Sequence, residues 1–245
     1  MNNKIKEAVD TAQKVQRNFD LSRSIPKKDL DTLIYAATNS PSKQNATHYS
    51  LKIYTDQSII KKIHEHTKNF TLHRRGNPEG IIEVRDSSVW HNPEYSVTNS
   101  QTLANALFIY VNDSDHDNVI AGDHLLYAKQ RDKNEDSTVK KIFEEQQTYS
   151  IGVSVGELLL SAALLGYKTG LCSGFNRSKV SKIINANDEV RLIVGIGFEN
   201  FNVDRRLHAE VLNKDVVEYA RNGELNEHWR FPSFEKNIKV SINDN

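Results

Sequence analysis

The sequence predicts a soluble protein that mixes helices and strands, and three observations carry that expectation. Leu30, Leu33, Ile34 and Ala37 recur at i, i+3, i+4 and i+7, the apolar stripe of an amphipathic helix. Elsewhere the period shortens: Tyr49, Leu51, Ile53 and Thr55 alternate, and Ala106 to Val111 is one continuous apolar run of strand length. The third observation is balance. The 245 residues carry 32 basic and 32 acidic side chains, which argues against a broad nucleic-acid or membrane footprint while allowing a local basic pocket for a phosphate. A chain of this length buries a real core in one large or two small domains.

Residues 4 to 18 read as a first helix, with Ile5, Ala8, Ala12 and Val15 inward and Gln13, Lys14 and Arg17 near its end. Pro26 suits the opening turn of the second helix, where its missing N–H is harmless. Asn39, Ser40 and Pro41 stop that helix, because the residue before a proline is pushed out of the helical region. The chain is organised around the polar turn that follows, Pro41-Ser42-Lys43-Gln44-Asn45. Wedged between helix and strand, its hydroxyl, ammonium and amide groups could face a ligand. By composition alone an ordinary polar turn is the plainer reading.

Ser58 to Thr67 suggests a short helix. His64 and His66 flank Glu65 but point apart at i and i+2, so they read as surface residues rather than a metal pair. Residues 68 to 100 are irregular, with Arg74, Arg75, Arg85, Trp90 and Tyr95 among them; a loop this long suggests a lid or binding loop. His124 to Tyr149 reads as charged and helical. From Ser150 to Leu165 the next helix is apolar nearly all round, which calls for burial by its own fold or by a second subunit. Gly152 and Gly156 permit close approach, and Gly166 caps the helix. Tyr167 to Cys172 and Val190 to Phe198 read as strands, with a short helix, Lys179 to Ile184, between them. The tail from Asn213 carries Trp229, Phe231 and Phe234, the composition of an arm that docks on another surface.

The chemistry is constrained by what is missing from the sequence. GxGxxG, a P-loop, cysteine-rich metal spacing and a nucleophile elbow do not occur. Cys172 is the single cysteine, which excludes an intrachain disulfide, makes a cytoplasmic location the default and reads as a buried inert thiol. No nucleophile has a base beside it. If the chain is an enzyme, a cofactor carries the chemistry.

Taken in order, Arg17 with Phe19, Ile25-Pro26 leading to Asp29-Leu30, Ala36-Ala37, Pro41 to Asn45, the glycine-bearing helix, Gly166 to Leu171, Gly174-Phe175, the Val194 to Phe198 strand and the arginines beyond it resemble the nitroreductase family of FMN-dependent oxidoreductases. The order and spacing of these motifs over residues 5 to 210 carry the resemblance, not any one of them. Arg23-Ser24-Ile25-Pro26 is a decoy for the family's flavin motif; Gln13 to Arg17, with Phe19 following, is the better register. There Gln13 and Val15 depart from the family's arginine and serine.

The resemblance implies an α+β fold with a mixed, mostly antiparallel central sheet surrounded by helices, in an intertwined homodimer. It implies one FMN-binding domain over residues 1–245, with 68–100 as a lid-like insertion and 213–245 as an arm that wraps the partner. It places Arg17 near the flavin N1 and C2 carbonyl as an electrostatic stabiliser, with no separate catalytic side chain and no metal. Lys14 falls beside the phosphate, with Arg205 and Arg206 supplying further positive charge. Ser42, Lys43 and Asn45 reach FMN across the subunit interface, and Ser173 and Gly174 face flavin N5. The implied activity is ping-pong transfer of electrons from NADH or NADPH to nitroaromatic, quinone or related small molecules. A specialised flavin enzyme of the same fold, such as a reductive dehalogenase or dehydrogenase, or a non-catalytic FMN-binding protein, are the alternatives.

Overall fold

The most apolar stretch of the sequence forms the middle of a four-stranded sheet. In the computed structural model, which describes residues 2–42, 49–67, 70–71, 96–97, 99–112, 137–202 and 238–241, strand β4 (Ala106–Asn112) is flanked by β1 (Tyr49–Tyr54) and β6 (Val190–Gly197), and β5 (Lys168–Cys172) completes the order β1-β4-β6-β5. All three pairings are antiparallel. A separate two-stranded ladder joins β2 (Phe70–Thr71) to β3 (Ser96–Val97). Five α-helices are described: α1 (Asn3–Ala12), α2 (Lys27–Thr38), α3 (Gln57–His64), α4 (Ser137–Leu164) and α5 (Arg177–Ile183).

Alternation along β4 divides the interior into two cores, as the twofold side-chain period of a strand requires. Leu107, Ile109 and Val111 point to one side, where Ile60 and Ile63 of α3 and Val180 of α5 cover them. Ala106, Phe108 and Tyr110 point to the other, against Leu33 and Ala37 of α2 and Ile151, Val155, Leu158 and Ala162 of α4. The architecture is therefore α+β, with helices on both faces of an antiparallel sheet. Among the described residues no helix is long and apolar enough to cross a membrane.

Several expectations about helices change: α3 ends at His64 rather than Thr67 and α5 begins at Arg177 rather than Lys179. Helix α1 stops at Ala12 rather than near residue 18. Beyond it, Val15 forms a parallel bridge to Thr169 and the Gln16 amide donates to the Thr169 carbonyl at 2.8 Å. The open edge of β5 thus competes for backbone groups that a longer helix would have bonded internally. Conversely, from Ser137 on, the charged helix expected before residue 150 and the apolar one after it are one 28-residue helix, α4; residues 124–136 of the expected charged helix lie outside the described residues. Gly166 does cap α4, at φ +86, the left-handed conformation that favours glycine.

Two glycine contacts bring a loop flat against the sheet. A Cβ on Gly195 would lie 2.1 Å from the Gln101 carbonyl oxygen, and one on Gly170, its partner across β5 and β6, 2.9 Å from Gln101 Cβ. Only a residue without a side chain admits such contact. The 99–105 segment is laid there, next to the β5 edge.

Candidate functional site

Three segments converge around β5. The first is 15–20. Its ends are pinned by the Val15–Thr169 and Phe19–Glu199 bridges and by the Asp20 amide, which donates to the Phe198 carbonyl at 2.9 Å. Between those ties Gln16 and Asn18 are buried and Arg17 is half-buried; the Gln16 side-chain amide donates to the Asn18 carbonyl. Lys14 is exposed. So Arg17 belongs to an extended segment held on the sheet edge, not to a helix end as expected. Of the two departures from the family pattern, the Gln13 amide donates to Asp10 Oδ1 at 3.3 Å and Val15 serves through its backbone.

The second is the turn before β4. Asn99 caps a short 3-10 turn (Ser100–Thr102), accepting from the Gln101 amide at 3.1 Å and donating through Nδ2 to Gln101 Oε1 at 3.0 Å. His64 Nδ1 lies 3.2 Å from the Asn99 carbonyl and 3.0 Å from Thr102 Oγ1. Thr67 Oγ1 donates to the His64 carbonyl and accepts from the Asn99 amide, both at 2.8 Å. His64 is consequently 7% exposed, which corrects its reading as a surface residue. The end of α3 turns it inward, where the polar groups of the turn satisfy it. His66 is half-buried.

The third is the exit of β5. Cys172 is buried, and its Sγ donates to the Gly174 carbonyl at 3.5 Å. Burial pushes its thiol up to about 11, so it is a neutral, inert group at physiological pH. Phe175 then bridges to Thr67, and the Asn176 amide donates to the His66 carbonyl at 2.8 Å. Ser173 is left exposed and Gly174 half-buried between two fixed points. The structure therefore ties the Arg17 segment to the start of β5, at Thr169, and sets Ser173-Gly174 just past its other end, at Cys172. It adds Gln16, Asn99 and Gln101, which were not singled out from sequence; the only hint was a polar Asn-Ser-Gln-Thr run just ahead of an apolar strand.

Ser42 belongs to another place. It follows α2 and precedes β1, the strand at the sheet edge opposite β5. Its Oγ is buried with no hydrogen-bond partner among the described residues. Lys43, Asn45, Arg205 and Arg206 lie outside the described residues, as do Arg74, Arg75, Arg85, Trp90 and Tyr95 of the expected lid and the aromatic residues of the expected arm. Among the described residues, no cluster of His, Cys, Asp or Glu could hold a metal ion.

Sequence and structure comparisons agree with this architecture. The sequence model of the nitroreductase family matches residues 14–198, and the chain belongs to that family. No curated protein matches the sequence. Among solved structures, a provisionally named NAD(P)H:FMN oxidoreductase from Staphylococcus epidermidis shares 16% identity at a TM-score of 0.55, covering 87% of this chain and 94% of its own. A provisionally named nitroreductase from Exiguobacterium sibiricum, solved in complex with FMN, shares 14% identity at a TM-score of 0.54, with 85% and 94% covered. The enone reductase CLA-ER of a gut-bacterial fatty acid saturation metabolism shares 15% at 0.56, with 86% and 96% covered. These likenesses establish the fold.

Proposed function

We propose that this protein is an FMN-dependent reductase that draws electrons from NADH or NADPH and delivers them to a small-molecule acceptor in alternating, ping-pong half-reactions. Residues 1–245 act as one domain, in a cytoplasmic homodimer. The observation that carries this reading is half-buried Arg17 held on the edge of β5 by the ties at Val15 and Asp20, inside a chain of the nitroreductase family.

The residues present fit FMN. Ser42 offers a buried, unsatisfied hydroxyl, Arg17 a fixed positive charge, and the Ser173-Gly174 segment backbone groups held between two anchored ends. Bound FMN supplies hydride acceptance and donation. The chain's part is to hold it and to tune it: Arg17, fixed by the ties on either side of it, favours a negatively charged ring edge without reorganising. Ser42, with Lys43 and Asn45 beside it in sequence, holds the cofactor from the opposite sheet edge. In the proposed dimer, a second copy supplies the Ser42 turn at each Arg17 site. Lys14, Arg205 and Arg206 add charge for the phosphate.

A dimer also fits α4. Ile151, Val155, Leu158 and Ala162 are buried, while Tyr149, Val153, Leu160 and Leu164, on the opposite face, are exposed. Gly152 and Gly156 on that exposed side have nothing within 4 Å of where a Cβ would stand. That stripe is apolar, small enough at two positions for close helix approach, and suited to the same stripe of a second chain.

The test is the visible spectrum of the purified protein before and after anaerobic NADH or NADPH. A flavin spectrum bleached by one nicotinamide is expected. No flavin, even after FMN is added, would overturn the reading. In the same assay Arg17→Ala should weaken flavin retention and slow reduction; full occupancy at an unchanged rate would reject the role given to Arg17. The acceptor is decided by comparing nitroaromatic, quinone and enone substrates on the reduced protein.

A further inference from the structure

The turn that carries Ser42 is preceded by a proline whose consequence can be followed into the core. The Ala37 carbonyl, at the end of α2, would ordinarily accept from the backbone N–H of residue 41. Residue 41 is proline and has none. The neighbouring carbonyls find local donors: Ile34 accepts from Thr38 Oγ1 at 2.9 Å, and Tyr35 from the Asn39 amide at 3.0 Å. Ala37 is satisfied from elsewhere. Tyr49 Oη of β1 donates to it at 3.0 Å, and Ser154 Oγ of α4 at 2.6 Å.

A carbonyl can only accept, so those two bonds use the hydroxyl protons of Tyr49 and Ser154. The directions of the remaining bonds follow. Tyr110 Oη, 2.9 Å from Ser154 Oγ, must be the donor of that pair. Ser40 Oγ, 3.2 Å from Tyr49 Oη, must be the donor of its own. Four hydroxyls from α4, β4, β1 and the turn thus converge on one carbonyl, each with its single proton placed. Ser154 and Tyr110 are fully buried, Ser40 is 5% exposed and Tyr49 7%. The Tyr49 and Tyr110 rings pack at 5.3 Å between centroids. Burial raises the Tyr110 phenol, which keeps it a neutral donor.

We infer that this hydroxyl cluster positions the Ser42 turn for cofactor binding, with Ser154 and Tyr49 as its positioning residues. The inference rests on the FMN reading above. Ser40 is at once a member of the cluster and the residue two before Ser42, so an ordered Ala37 carbonyl fixes the direction in which the turn leaves the helix. Ser154 joins it to α4, the helix whose opposite face is exposed. Deleting the Ser154 hydroxyl leaves Tyr110 without its acceptor and Ala37 with one donor, at a distance from any contact with ligand.

The test pairs two readouts on Ser154→Ala, Ser154→Thr and the control Tyr54→Phe. The control removes a different part-buried tyrosine hydroxyl, bonded to the Ile184 carbonyl at 3.3 Å in the other core. Flavin-stripped protein is titrated with FMN by fluorescence quenching, and amide hydrogen exchange is followed across residues 38–42. Ser154→Ala is expected to raise the FMN Kd about fivefold to tenfold and to speed exchange across 38–42. Ser154→Thr should restore both, and Tyr54→Phe should change neither. A Kd within about twofold of the parent protein, or faster exchange spread evenly over the sheet, would overturn the inference. If the parent protein itself binds no FMN, the functional reading fails, and the local exchange comparison alone decides whether the cluster orders the turn.

Discussion

At the level of single residues, the sheet edge is built from side chains whose roles depend on what lies over them. His64 shows this. Its sequence neighbourhood, with Glu65 and His66, reads as a solvated helix end. Its surroundings in space are the Asn99 carbonyl and Thr102 Oγ1, partners 35 and 38 residues away in sequence. No local pattern carries that information. Cys172 was legible, because a lone cysteine inside an apolar strand is inert by default. Its environment yields a prediction. The folded thiol titrates at about 11 against 9.0 for an ordinary thiol, so between those values the folded chain keeps a proton that the unfolded chain has lost. Binding more protons in the folded state makes stability fall as pH rises. Urea unfolding followed from pH 8 to 11 should show that decline, and Cys172→Ala should lessen it. A native thiol that reacts at pH 8 with an aromatic disulfide as fast as the unfolded chain would contradict the assignment.

Among the elements, boundaries rather than types moved. Strands β1, β4, β5 and β6 occupy the stretches their apolar patterns mark, and the α2 stripe is inward, with Leu33 and Ala37 fully buried. Helix α1 is shorter than its periodicity suggests, because residues 15 and 16 bond to Thr169. Helix α4 is longer, because the charged stretch before residue 150 continues the same backbone. Two helix stops were legible to the residue, Asn39 after α2 and Gly166 after α4. The Gly166 φ of +86 is disfavoured for any residue with a Cβ, although nothing stands within 4 Å of that position. Gly166→Ala should therefore lower stability by about 1–2 kcal/mol through backbone strain alone, measured by urea denaturation. An unchanged midpoint would show that the cap relaxes into another conformation.

For the whole molecule, the arrangement of the two half-sites matters most. The Arg17 segment is tied to the start of β5, Ser173-Gly174 follow its end, and the Ser42 turn precedes β1 at the other edge. In the proposed dimer a second copy brings the Ser42 turn to each Arg17 site. The exposed α4 stripe is where that dimer is expected to form. Leu160→Glu, placing a charge in its middle, should halve the molecular mass measured by light scattering and weaken FMN binding with it. A dimer of undiminished stability would move the interface elsewhere.

The sequence by itself determined the local elements, the two-sided burial of β4, the glycine cap and the kinship with flavin reductases. Each depends on neighbours within a turn or two, or on motifs in a linear order. Only the tertiary structure decided that Asn99, Gln101 and Gln16 crowd the β5 edge, that His64 is interior, and that Ala37 is bonded by hydroxyls from β1 and α4. Those facts rest on groups brought together across the chain, such as Ser154 and Ala37 with 117 residues between them. A buried polar atom must find its partner wherever the packing places one.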